Sequence, residues 1–293
     1  MSQMINKTFK DRLAKGGAIL MPGAANALAA RVIDGLGFEA IYLSGAGLTN
    51  TYYGMPDHGF VALPDLVQHV SAIRNVTDLP LVVDADTGFG NAVNVHHSVR
   101  MLENAGASAI QIEDQRMPKK CGHFSGKDVV GLSEARSRIK AAVDARRDEN
   151  FLIVARTDAR ATLGMNAAID RAAAFIEDGA DITFVEAPQG MDEMLAIPSR
   201  LPGAPQLINL VVGGKTPIVD FGTLDQAGFA LVLYANVALQ GALLGMQTAL
   251  SKLQDQGRMD LDGPLASFEL RQNSVNKGHY DALEAAYRHD EES

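Results

Sequence analysis

The chain has a single cysteine, Cys121, among its 293 residues, so no disulfide can form within it. No apolar run approaches the roughly 18 to 20 residues of a membrane span, and residues 1–10 lack the long apolar core of a secretory signal. Long basic clusters are missing too. The 26 Lys and Arg stand against 35 Asp and Glu, a formal net charge of -9, which argues against nucleic acid as a partner. These absences lead us to expect a soluble, cytoplasmic protein. With 47% hydrophobic residues over this length, the chain can bury a large core, as one big α/β domain or two small ones.

One pattern recurs along the chain: a helix-like stretch ends at glycine, and a short β-rich run follows. It starts at Gly37, Gly106, Gly179 and Gly228. Further β-rich runs lie at 18–21, 79–86, 151–158 and 206–210, which makes eight strands, each followed by a plausible helix such as 91–105, 133–147 or 166–178. Regular βα alternation with right-handed crossovers predicts a closed parallel (β/α)8 barrel, one domain over 1–293, with extra helices at the C-terminal end.

In a barrel the carboxyl ends of the strands converge on one mouth, and here they carry Ser44, Asp84, Asp86, Glu113, Arg156, Asp158, Glu186 and Asn209. Any one of these is adequately explained as a helix cap. So many carboxylates at one face, however, need a cation to offset their repulsion. Asp84, Asp86, Glu113 and Asp57, with no histidine or cysteine cluster at zinc spacing, favour a hard ion, Mg2+ or Mn2+. We expect Asp84 to touch it and the others to reach it partly through water. Just beyond the Glu113 strand, Cys121 sits between lysines (Lys119, Lys120) and His123. That electropositive setting lowers a thiol pKa from its reference of about 8.5 and suits proton transfer or nucleophilic attack.

The stretches 42–47, 82–90, 111–115, 119–123 and 213–217 together resemble the isocitrate lyase and phosphoenolpyruvate mutase superfamily, in particular its 2-methylisocitrate lyase-like branch, which includes the 2,3-dimethylmalate lyase type. The cysteine motif is similar to that of the lyases rather than the mutases. The resemblance implies a Mg2+-dependent enzyme that cleaves a carbon–carbon bond of a 2-hydroxy di- or tricarboxylate, giving pyruvate or glyoxylate and a second carboxylate. It also implies residue roles. Cys121, on a loop that closes over the site, protonates the departing carbanion, and Tyr42 is a candidate base for the hydroxyl. The backbone from Ser44 through Gly45 and Ala46 to Gly47 holds the 2-oxo acid carboxylate, with Lys119 and Gly122 as further substrate contacts. Arg156 and His123 stabilise negative charge, and Glu186 and Asn209 hold the second product. A homotetramer is implied, in which residues from about 236 onward pack on a neighbouring subunit.

One departure bears on the substrate. Where these lyases usually have a glutamate after the asparagine of the seventh strand, this chain has Val212, and the run 233–240 lacks the usual proline. An apolar group there favours an alkylated malate over methylisocitrate. Two other readings share the scaffold: an oxaloacetate (or related 2-oxo acid) hydrolase or decarboxylase, and a non-catalytic metabolite-binding protein. A Schiff-base aldolase is disfavoured, because no strand presents an inward lysine.

Overall fold

The computed structural model describes residues 2–119, 126–260 and 262–288. Eight strands, β1 (Ile19–Ala24), β2 (Ile41–Leu43), β3 (Leu81–Asp84), β4 (Ala109–Glu113), β5 (Leu152–Thr157), β6 (Ile182–Val185), β7 (Gln206–Asn209) and β8 (Leu231–Tyr234), form a closed parallel barrel in chain order. The ring closes where Pro22 of β1 stands beside Tyr234 of β8. All eight expected strands are present, and Gly37, Gly106, Gly179 and Gly228 have positive φ where helix gives way to strand.

Successive side chains of a strand point to opposite faces, and this sorts the barrel into two populations. Val82 on β3, Ala109 on β4, Leu152 and Val154 on β5, and Ile182 and Phe184 on β6 pack in one central cluster inside the barrel. Their neighbours Val83, Ile110, Ile112, Ile153 and Ala155 belong to a second cluster under the helices Leu63–Arg74, Ala92–Ala105 and Leu132–Ala145. The inner cluster is closed from below by the Ser2–Ala14 helix, which the sequence pattern did not reveal. Its Phe9 and Leu13 enter the barrel floor, while Asn6 donates to Asp148 Oδ2 at 2.9 Å.

Beyond β8 the 20-residue helix Val237–Gln256 and the helices Phe268–Ser274 and Lys277–Ala286 contribute no buried residue. Leu244, Leu250 and Phe268 are exposed at 65%, 62% and 70%. No helix among the described residues is long and apolar enough to cross a membrane.

Closure makes Gly23 a sensitive position. A Cβ there would stand 1.9 Å from the carbonyl oxygen of Ala235, a backbone atom that cannot swing aside. We expect Gly23→Ala to cost about 3 kcal/mol or more in denaturant unfolding. Gly35, helical, exposed and with nothing within 4 Å of a Cβ, should gain about 0.4–1 kcal/mol on substitution to Ala. Equal effects at the two positions would show that the β1–β8 seam is not the tight point.

Candidate active site

The two-residue period that fills the barrel with apolar side chains also builds its mouth. Followed upward in steps of two, the inner face of β3 runs from Val82 to Asp84 and Asp86, β4 from Ala109 through Gln111 to Glu113, and β5 from Val154 to Arg156 and Asp158. On β6 the step goes from Phe184 to Glu186, and on β7 from Leu207 to Asn209. Tyr42, Asp84, Glu113, Arg156, Glu186 and Asn209 therefore meet around one cavity of about 40 Å³, joined from the loops by Ser44, Ala46, Asp57, Lys119, Val211, Ala235 and Asn236.

The carboxylates do have cationic partners. Lys119, 3% exposed, places Nζ 2.6 Å from Asp57 Oδ1 and 2.6 Å from Asp86 Oδ1. Burial works against its ammonium, but Asp86, Asp84, Glu113 and Asp57 together raise its pKa above the ordinary lysine value. Asp86 is pushed up to about 7, chiefly by burial and also by Asp84 and Asp57, with Lys119 opposing. Two of the four expected metal carboxylates, Asp57 and Asp86, are thus ion-paired to a lysine, which corrects the expectation that the cluster has only a metal to neutralise it. Lys119, expected to contact substrate, lines the cavity in the role of a counter-ion. Asp84 remains the carboxylate best placed for an ion: it lines the cavity, with Oδ1 accepting from the Asp86 backbone at 3.2 Å and from Gln111 Nε2 at 3.3 Å.

Arg156 is the second cation. Its Nε and Nη2 grip Asp158 at 2.9 and 3.1 Å, and it also reaches Glu113 at 3.4 Å and Glu186 at 3.8 Å. Lys127 Nζ donates to the same Asp158 at 2.5 Å. Burial alone would raise the Asp158 pKa, yet Arg156 and Lys127 hold it down at about 2. Glu113 is raised well above its usual range by burial, which Arg156 only partly offsets. Its Oε1, like Asn209 Oδ1, meets no hydrogen-bond donor among the described residues. An all-oxygen donor set with unsatisfied acceptors suits a hard divalent cation that keeps several waters. No group of three carboxylate, imidazole or thiol side chains among the described residues forms a ready-made cage.

Several expected roles change. Tyr42 is 2% exposed, and its hydroxyl donates to Gln111 Oε1 at 2.9 Å. Burial, with Asp84 adding to it, raises its pKa well above the normal phenol value. The hydrogen bond to Gln111 argues against the role of base expected for Tyr42. Ser44 caps the short Gly45–Leu48 helix, its Oγ accepting from Gly47 N at 3.1 Å. Gly45 N lies 3.4 Å from Asp84 Oδ2, and Ser44 and Ala46 line the cavity whereas Gly45 and Gly47 do not. Val212 is 56% exposed and off the cavity. Its neighbour Val211 lines the cavity instead, because adjacent loop residues point apart. Cys121, Gly122 and His123 lie outside the described residues. The sequence reading missed Gln111, Asn236 and Lys127. A polar residue on the inner face of a strand was the available signal for Gln111.

The pairing of Asp158 with Arg156 and Lys127 generates a stability prediction. Asp158→Asn leaves two buried cations short of a counter-charge and should cost about 3–5 kcal/mol near neutral pH. With the folded pKa of Asp158 depressed to about 2, its stabilisation is complete above the unfolded value near 3.9. It is lost as pH falls through the folded value. The difference between wild type and variant in urea unfolding should therefore shrink steadily below about pH 4. A difference that is constant from pH 7 to pH 3 would reject the pairing as its source.

Comparison with known proteins places this geometry. Residues 9–254 match the phosphoenolpyruvate phosphomutase family model. The chain is 43% identical to 2,3-dimethylmalate lyase of Eubacterium barkeri over 81% of its own length and 82% of the relative's. It is 42% identical to 2-methylisocitrate lyase of Aeropyrum pernix over 85% and 80%. Among solved structures, a 2,3-dimethylmalate lyase superposes with a TM-score of 0.91 at 29% identity, covering 96% of this chain and 95% of that one. A phosphonopyruvate hydrolase complexed with oxalate and Mg2+ gives 0.87 at 31%, covering 96% and 98%. The chain belongs to the phosphoenolpyruvate mutase/isocitrate lyase superfamily.

Proposed function

We propose that the protein is a carbon–carbon lyase that splits a 2-hydroxy dicarboxylate of the alkylmalate type, or a methylisocitrate-type tricarboxylate, into a 2-oxo acid and a second carboxylate. The observation that carries this reading is the pairing of an acidic mouth centred on Asp84 with the buried guanidinium of Arg156 across one cavity, in a chain whose relatives include lyases of this kind. Asp84 would hold a divalent cation, Mg2+ or Mn2+, with Asp57, Asp86 and Glu113 reaching it through water. When bound, the ion supplies Lewis-acid stabilisation of negative charge on the substrate oxygens.

The chain's own residues have separable tasks. As the substrate hydroxyl passes its proton to a carboxylate of the mouth, its carbon becomes the carbonyl of the 2-oxo acid, the adjacent carbon–carbon bond breaks and the electron pair of that bond leaves with the second fragment. Arg156, kept cationic by Asp158, stabilises the charge that develops. A proton must then reach the carbanion, and Cys121 is our candidate donor. Asn209 and Glu186 line the cavity beside Arg156 and suit the second product. Val211 and Ala235 supply an apolar wall, which supports an alkyl substituent over a third carboxylate. The exposed apolar residues of the helices from Val237 onward support their packing on another copy, as a homotetramer. Light scattering that reads a monomer at micromolar concentration would reject that assembly.

Incubation with a panel of 2-hydroxy and 2-oxo diacids and Mg2+, with products read by mass spectrometry, tests the activity. We expect 2,3-dimethylmalate to be cleaved with higher kcat/KM than 2-methylisocitrate, chelation and Asp84→Ala to abolish turnover, and Cys121→Ser to lower it by about 10²- to 10⁴-fold. Full activity after exhaustive chelation sinks the metal assignment. Release of oxalate and acetate from oxaloacetate, with no cleavage of any 2-hydroxy acid, would make the protein a hydrolase instead.

A further inference from the structure

Gln111 is fully buried on the inner face of β4, and both ends of its side-chain amide are used. Nε2 donates to Asp84 Oδ1 at 3.3 Å, and Oε1 accepts from the Tyr42 hydroxyl at 2.9 Å. The direction of this chain is set by chemistry. An ionised carboxylate only accepts, so the NH2 end must face Asp84; the carbonyl end then faces Tyr42, whose hydroxyl must donate. Two consequences follow. The Asp84 carboxylate is fixed in rotation from behind, away from the cavity it lines. The Tyr42 proton is committed to Gln111, so the phenol oxygen offers the cavity a lone pair and no donor.

We propose that Gln111 is a positioning residue that orients Asp84 toward its cation and turns Tyr42 into an acceptor for a substrate hydroxyl, favouring a 2-hydroxy acid over a 2-oxo acid at that point. This rests on the reading of Asp84 as the carboxylate that meets the divalent ion. Gln111 and the Asp86 N–H hold Asp84 Oδ1, while Oδ2, with only the longer 3.4 Å approach of Gly45 N, is the oxygen left for the ion, and outer partners of metal ligands contribute to affinity by this kind of restraint. A hydroxyl on the substrate can donate to the Tyr42 oxygen, whereas a ketone cannot.

The test uses the full-length protein and Mn2+ without substrate, with binding read by the loss of the free-ion EPR signal. Gln111→Leu removes both hydrogen bonds at similar volume and should weaken Mn2+ binding about 10- to 100-fold with an unchanged circular dichroism spectrum. Gln111→His, whose neutral ring can donate from one nitrogen and accept at the other, should bind close to wild type. At saturating Mn2+, inhibition by lactate relative to pyruvate should move toward pyruvate in Gln111→Leu, because the freed Tyr42 proton can then face a ketone. Wild-type Mn2+ binding by Gln111→Leu, or a Gln111→His as weak as Gln111→Leu, overturns the proposal. If Asp84→Ala abolishes binding while Gln111→Leu does not, only the role of Gln111 falls. If wild type itself binds no Mn2+, the assignment of Asp84 fails and the proposal with it.

Discussion

Everything at the barrel mouth depends on holding carboxylates together against their own repulsion in a place that water scarcely reaches. Asp57, Asp84, Asp86, Glu113, Asp158 and Glu186 come from four strand ends and one loop, and all but the half-buried Asp84 are buried above an apolar interior. Two cations resolve most of the conflict. Lys119 bridges Asp57 and Asp86 from the loop side, and Arg156 spans Asp158, Glu113 and Glu186 from β5. The pattern is asymmetric. Asp158, gripped by both Arg156 and Lys127, is a strong acid, whereas Asp86 and Glu113, less completely paired, are weak ones. The Asp158 group is saturated with counter-ions, and the carboxylates facing the cavity are left short of positive charge, which is where a divalent ion has the most to offer.

That layering continues outward. Asp114, on the outer face of the β4 end, receives Thr157 Oγ1, the backbone N–H of Asp158 and Arg171, while Arg171 also donates to the carbonyl of Val130. The stem of the loop that follows β4 is thus tied to the strand carrying Arg156, with Gln115 and Val129 forming a bridge across its base. Lys119 and Lys127, near its two ends, both turn inward onto site carboxylates. A displacement of this loop therefore exposes two ion pairs at once, and its position cannot change without altering the charge balance of the site.

How much of this was legible in the sequence depends on the range of the forces involved. The eight strands and the inward carboxylates could be read because the pleat repeats every two residues, so an apolar position implies the orientation of the next polar one. The counter-ions could not. Lys119 meets Asp57 from 62 residues away, and Tyr42 meets Gln111 across 69, separations at which no local rule operates. Tyr42 was read as a candidate base from the family resemblance, in which its partner was not visible; its donor bond to Gln111 makes it an acceptor toward the cavity. Val212 was placed in the pocket by register with a motif, but past the end of β7 no periodicity decides which of two adjacent valines turns inward, and Val211 does. The Ser2–Ala14 helix escaped notice because its inward face is narrow: Ile5, Phe9 and Leu13 are buried at every fourth position among polar and charged neighbours, while Met4 stays exposed.

The charged floor of the site is general equipment. Asp84, Glu113, Arg156 and their partners supply orientation and electrostatics for any small acid whose reaction passes through negative charge at one carbon, so this layer alone does not choose between splitting a hydroxy acid and hydrolysing an oxo acid. Choice must come from groups that touch the substrate beyond the charged floor. Beyond that floor, the cavity is lined by Val211 after β7, and Ala235 and Asn236 after β8. Asn236 is the polar one among them, with Oδ1 accepting from Ser44 Oγ, at the end of β2, at 3.4 Å. An apolar pair flanked by one amide fits an alkyl substituent beside a single hydrogen-bonding oxygen better than a carboxylate, which would leave a charge facing Val211 and Ala235 without a cation to meet it.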